Sequence, residues 1–125
     1  MATNIMIVED AETIQTPVRV ALKPSIDAVF LNAGDATEGL RVAREHRGRI
    51  DLLVSDVEMP GRINGIEMAA TVCEAHPETK VLLMSGYRPE ALAAKPDWHF
   101  IKKPFSVTEI RRRIRSLLKK YGLAR

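Results

Sequence analysis

Short, nearly continuous apolar runs alternate along the chain with longer stretches whose apolar residues recur every three or four positions. The runs over 5–8, 28–31, 52–55, 81–84 and 100–102 are strand-length, and their lack of polar alternation predicts strands buried on both faces. Strands alternating with helix-length amphipathic stretches imply an α/β domain, a parallel sheet with helices on both faces. Asp35-Ala36-Thr37-Glu38 and Ser106-Val107-Thr108-Glu109 each place a capping residue three positions before a glutamate, which marks two helix starts. The last helix gathers Ile110, Ile114, Leu117, Leu118 and Tyr121 on one face, with Gly122 placed to cap it. His76-Pro77 closes the helix before strand four, because a residue preceding proline is pushed out of the α region. Pro17 predicts a kink or a late start in the helix after strand one. Between Pro89 and Pro96 there is room only for a short helix.

Composition narrows the class without changing this picture. A length of 125 residues fits one domain, and 46% apolar with 28% charged residues is ordinary globular usage. No apolar run approaches the roughly 20 residues that span a bilayer, and Met1-Ala2-Thr3-Asn4 lacks the basic start of a signal peptide. The lone Cys73 cannot form an internal disulfide and reads as a small helix-packing residue, so a reducing cytoplasm is expected. The formal charge of +3 is concentrated in Arg111-Arg112-Arg113-Ile114-Arg115 and Lys119-Lys120. Such a run reads either as the solvated face of an amphipathic helix or as a surface for an acidic partner.

In an open parallel sheet, ligands bind at the carboxyl ends of the strands, near the point where strand order reverses. Strand one ends in Glu9-Asp10, strand three in Asp56, strand four in Ser85, and strand five in Lys102-Lys103-Pro104. Three carboxylates, a hydroxyl and an ammonium therefore meet on one edge. Clustered carboxylates repel one another unless a cation neutralises them. Mg²⁺ suits such a place, because it takes oxygen ligands, needs only one or two carboxylates, and leaves room for water and phosphate oxygens. His46, His76 and His99 form no ligand spacing.

Four segments in order, Ile5-Met6-Ile7-Val8-Glu9-Asp10, Leu53-Val54-Ser55-Asp56-Val57-Glu58-Met59-Pro60-Gly61, Leu83-Met84-Ser85-Gly86 and Phe100-Ile101-Lys102-Lys103-Pro104-Phe105, resemble the receiver domain of two-component response regulators. The resemblance covers essentially residues 1–125 and includes no output domain. It implies a flavodoxin-like, doubly wound five-stranded sheet in the order 2-1-3-4-5. It also implies that Asp56 is the phosphoacceptor and that Asp10 and Asp56 bind Mg²⁺ directly. Glu9 would act through a water, and the backbone carbonyl of Glu58 would supply a further oxygen. Lys103 would pair with the phosphoryl group, Ser85 would hydrogen-bond it, and Phe100 would be the aromatic that turns inward. The Lys103-Pro104 peptide is expected to be cis, and Lys102 a solvated neighbour. Glu58 and Tyr87 would flank the path of hydrolytic water and slow dephosphorylation. Arg62-Ile63-Asn64-Gly65 makes the loop after Asp56 one residue longer than the commonest receiver, a variant that resembles receivers of hybrid histidine kinases.

Plainer alternatives stand beside these roles. Phe100 could be core alone, Ser85 a strand-end cap, and the acidic group with Lys103 an ion-pair network. A haloacid-dehalogenase-type phosphatase also uses an aspartyl nucleophile and Mg²⁺, but Glu9-Asp10-Ala11-Glu12 lacks the paired aspartates of that family. A nucleic-acid module could use the basic last helix, yet no stacking aromatics accompany it. The expected function is thus a signalling phosphoacceptor rather than an enzyme acting on a free substrate. Its partners would be a histidine kinase or histidine phosphotransfer protein and a downstream protein, without membrane or nucleic acid. A homodimer is left open.

Overall fold

The computed structural model describes residues 3–9, 28–59, 61–86 and 97–123. Five strands, β1 (Thr3–Val8), β2 (Ala28–Ala33), β3 (Leu52–Asp56), β4 (Lys80–Ser85) and β5 (His99–Lys102), pair in parallel in the order β2-β1-β3-β4-β5. This is the order that the resemblance implies. Every strand extends past its apolar run: Thr3 and Asn4 precede it in β1, Asn32 and Ala33 follow it in β2, and Lys80 and Ser85 flank it in β4. Ladder hydrogen bonds are made by the backbone, so polar residues at strand ends pair as well as apolar ones.

Side chains alternate between the two faces, and each face is apolar. Ile5, Ile7, Val54, Leu82 and Met84 point to one side, where Ile110, Ile114, Leu117 and Leu118 of α3 (Val107–Lys120) cover them. Met6, Val8, Leu53, Val81 and Leu83 point to the other, against Ala36 and Ala43 of α1 (Ala36–Glu45) and Met68, Ala69 and Val72 of α2 (Gly65–Ala75). Burial on both sides explains why the strands read as unbroken apolar runs. The helices predicted between β1 and β2 and between β4 and β5, with Pro17, Pro89 and Pro96, lie outside the described residues.

Three N-caps start the described helices. Ser106 and Glu109 form a reciprocal capping box, as the spacing predicts. At α1 only half the box forms: Asp35 accepts from the Glu38 N–H, while the Glu38 carboxylate reaches the N–H of Gly34 rather than that of Asp35. The third start is a full capping box of Asn64 and Glu67. Helix α2 ends before His76, ahead of Pro77. After α3, Gly122 adopts φ of 65°, the left-handed conformation that glycine takes without steric cost. That turn lets the Leu123 carbonyl accept a 2.6 Å hydrogen bond from the buried Thr3 hydroxyl. Among the described residues, no helix is long and apolar enough to cross a membrane.

Candidate functional site

Backbone hydrogen bonds hold the carboxyl ends of the strands together. The Val57 N–H donates to Met84 O at 2.9 Å, the Lys103 N–H to Ser85 O at 2.8 Å, and the Glu9 N–H to Ala33 O at 3.1 Å. The N–H of Gly65 donates to Val57 O at 2.9 Å, so the first turn of α2 rests on the chain leaving β3. These clips fix the end of each strand relative to its neighbours, and with them the side chains that follow.

Glu9, Asp56 and Ser85 are 2%, 3% and 1% exposed, so two carboxylates and a hydroxyl are buried at one edge. Lys103 reaches in from the end of β5, its Nζ 2.7 Å from Asp56 Oδ1 and 3.7 Å from Glu9 Oε2. Burial alone would lower the pKa of this ammonium. The hydrogen bond to Asp56 and the charges of Asp56, Glu9 and Glu58 outweigh it and hold Lys103 above its ordinary value. Lys103 is therefore a fixed positive charge at neutral pH. Lys102, one residue earlier, is exposed as expected.

Ser85 does more than close a strand: its hydroxyl donates a 2.7 Å hydrogen bond to Glu58 Oε1. Phe100 is half-buried beside the cluster that holds Leu83 and Trp98, and the Lys103-Pro104 peptide is cis. The structure thus brings together Glu9, Asp56, Glu58, Ser85 and Lys103. Asp10 and Tyr87 lie outside the described residues.

Among the described site residues, Glu9, Asp56 and Glu58 supply three carboxylates, and the Lys103 ammonium contacts Asp56 and Glu9. One ammonium beside three carboxylates leaves excess negative charge, and hard oxygen donors are the set that suits Mg²⁺. Among the described residues no three such side chains converge on one point, so an ion here would also draw on water and backbone oxygens, as Mg²⁺ commonly does. Asp51, buried as deeply, has a different place: at the opposite end of β3 it accepts the Asn4 N–H at 2.8 Å, and the Asp51 N–H donates to Asn4 O at 2.9 Å.

Two supporting features escape a reading of the sequence. Gly65 lies so close to Asp56 that a β-carbon there would meet the Asp56 carbonyl. The visible signal is a glycine directly after a capping asparagine. The Ser85–Glu58 bond leaves no trace in spacing, because it depends on where an exposed side chain turns.

Comparisons with known proteins bear on the family. The family signature described as response regulator receiver domain matches residues 5–115. The sensor kinase CckA of Brucella abortus is 28% identical over 95% of this chain, and the probable transcriptional regulatory protein TcrX of Mycobacterium tuberculosis is 29% identical over 96%. The chain spans 13% of the length of the first and 51% of the second. Among solved structures, the receiver domain of the hybrid histidine kinase CckA matches with a TM-score of 0.76 at 30% identity, over 92% of this chain and 98% of that one. A response regulator receiver protein of Sinorhizobium medicae shares the fold with a TM-score of 0.81 at 18% identity, over 96% and 97% of the two chains. With the signature spanning all five strands and the acidic edge in place, the chain belongs to the response regulator receiver domain family of two-component systems.

Proposed function

We propose that this receiver is phosphorylated on Asp56 in a Mg²⁺-dependent reaction and signals by a change of surface. The observation that carries the reading is Lys103 Nζ, 2.7 Å from the Asp56 carboxylate and within 3.7 Å of Glu9. A buried carboxylate with an ammonium beside it is a nucleophile placed where new negative charge can be held.

The donor is a phosphohistidine on a histidine kinase or histidine phosphotransfer protein. An Asp56 oxygen attacks phosphorus in line, the P–N bond breaks, and the electron pair leaves with the imidazole. The product is an acyl phosphate. Lys103 pairs with the transferred group, a point charge on the anionic oxygens. Ser85 donates its hydroxyl to one of those oxygens. Asp10 and Asp56 would hold Mg²⁺, with Glu9 through a water and the Glu58 backbone carbonyl as a further donor. When bound, the ion offsets the repulsion between carboxylates and phosphoryl group. The domain catalyses only its own phosphorylation and dephosphorylation and acts in the cytoplasm.

The altered surface is that of the segment after β4, β5 and α3, with Ser85, Phe100 and Lys103 carrying the change to Arg111 and its neighbours. Both arrangements exist beforehand, and phosphorylation shifts their populations. The longer loop at Arg62-Ile63-Asn64-Gly65 and the likeness to a CckA receiver support a donor of the hybrid-kinase lineage. Glu58 and Tyr87, beside the path of hydrolytic water, make the acyl phosphate long-lived.

Acetyl phosphate with Mg²⁺, read by intact mass, tests the reading. One added phosphoryl group is expected for the wild type and none for Asp56→Asn. Undiminished labelling of that variant would move the acceptor elsewhere.

A further inference from the structure

Glu58 stands two residues past Asp56, and its exposed side chain folds back over the end of β4. There Ser85 Oγ donates to Glu58 Oε1 at 2.7 Å. Ser85 is 1% exposed, so its hydroxyl needs a partner inside the protein. A carboxylate acceptor makes the bond one of the stronger O–H···O kind. A serine hydroxyl carries a single hydrogen. It can donate to Glu58 or to a phosphoryl oxygen on Asp56, but not to both.

We propose that Glu58 is a positioning residue that latches the Ser85 hydroxyl in the unphosphorylated domain, in competition with the phosphoryl group for the same hydrogen. The proposal rests on the phosphoacceptor reading of Asp56. The latch biases the domain toward its resting arrangement, because the phosphoryl group gains Ser85 only after the Glu58 bond is broken. Ser85 and Lys103 are joined through the Lys103 N–H to Ser85 O bond of 2.8 Å, so a latched Ser85 also restrains the chain that carries the lysine. The side chain of Glu58 thereby acts separately from its backbone carbonyl.

Beryllofluoride, which binds a carboxylate as a phosphoryl surrogate, tests the latch in a double-mutant cycle with Mg²⁺ held constant. Glu58→Ala should tighten its binding about three- to tenfold, the net scale of losing one hydrogen bond. Glu58→Gln keeps an acceptor oxygen and should recover part of the wild-type weakness. In a Ser85→Ala background, removing Glu58 should change affinity little. Without ligand, the amide signals of Ser85 and Gly86 in Glu58→Ala should move toward their beryllofluoride-bound positions. Equal gains for Glu58→Gln and Glu58→Ala, or the same gain without the Ser85 hydroxyl, would be a plain charge effect and would overturn the latch. Beryllofluoride binding to none of the variants, wild type included, would overturn the phosphoacceptor reading and the latch together.

Discussion

Gly65 leans on Asp56 so closely that a β-carbon at Gly65 would lie 1.9 Å from the Asp56 carbonyl oxygen and 2.9 Å from the Asp56 carbonyl carbon. The obstacle is backbone at the end of a central strand, which cannot swing aside as a flexible side chain could. Gly65→Ala should therefore destabilise the domain by about 2–3 kcal/mol, at the upper end of overpacking costs. It should also slow labelling of Asp56 by acetyl phosphate, since the strand end must shift. Urea denaturation with wild-type labelling kinetics would show that the loop absorbs the methyl group.

Lys103 separates two properties that usually move together. Its ammonium sits on one oxygen of the carboxylate proposed to hold Mg²⁺. Lys103→Met should tighten Mg²⁺ binding roughly tenfold by removing a like charge. The same change should depress phosphorylation, because the ammonium that pairs with the incoming phosphoryl group is lost. Titration calorimetry and mass-detected labelling would show the two effects with opposite signs. In the native chain the raised pKa of Lys103 stabilises the fold from neutral pH up to about 10.4, and that stabilisation is lost as pH rises through the raised value.

At the opposite end of β5, His99 hydrogen-bonds Tyr121 Oη at 2.8 Å, and Lys80 lies 4.7 Å from the centre of the tyrosine ring. Burial first, then the charges of Lys120, Arg113 and Lys80, depress the His99 pKa against the opposing pull of Asp97. A depressed histidine binds its proton more readily when unfolded, so its stabilisation is complete above the unfolded pKa of about 6.5 and falls as pH drops through the folded value. Thermal unfolding between about pH 7 and pH 5 should show this decline. His99→Gln should flatten that part of the curve.

Asn64 caps α2 by accepting from the Glu67 N–H at 2.9 Å, while the Glu67 carboxylate takes the Asn64 N–H at 3.2 Å. Asn64→Ala should cost about 1 kcal/mol, with Asn64→Ser close to neutral. Chemical denaturation of the two variants would distinguish a cap from a residue that only lengthens the loop.

That cap also shows where sequence reading stops. Asn64-Gly65-Ile66-Glu67 has the spacing of a capping box, but its position in the loop after Asp56 draws attention to loop length instead. The strands are plain in sequence because both faces are apolar, and α3 because its buried stripe is regular. Asp56, Glu9, Ser85 and Lys103 are legible because strand order alone brings strand ends to one edge. The half-formed box at Asp35 is not, since the choice of Gly34 over Asp35 by Glu38 depends on backbone angles before the helix. Nor is the turn of Glu58 toward Ser85, which is settled by side-chain geometry.

The bond from Thr3 to Leu123 joins positions 120 residues apart in sequence and brings the first strand to the end of the last helix. The two ends of the described fold therefore lie against each other. A short peptide joining the two ends, with the chain reopened in an exposed turn such as the one holding Gly48, would leave every strand pairing intact. The same closeness means that sequences fused before Thr3 and after Leu123 would emerge side by side, at the edge of the sheet remote from Asp56. Contact between such neighbours could be altered by small movements of α3 without either one approaching the phosphoryl group.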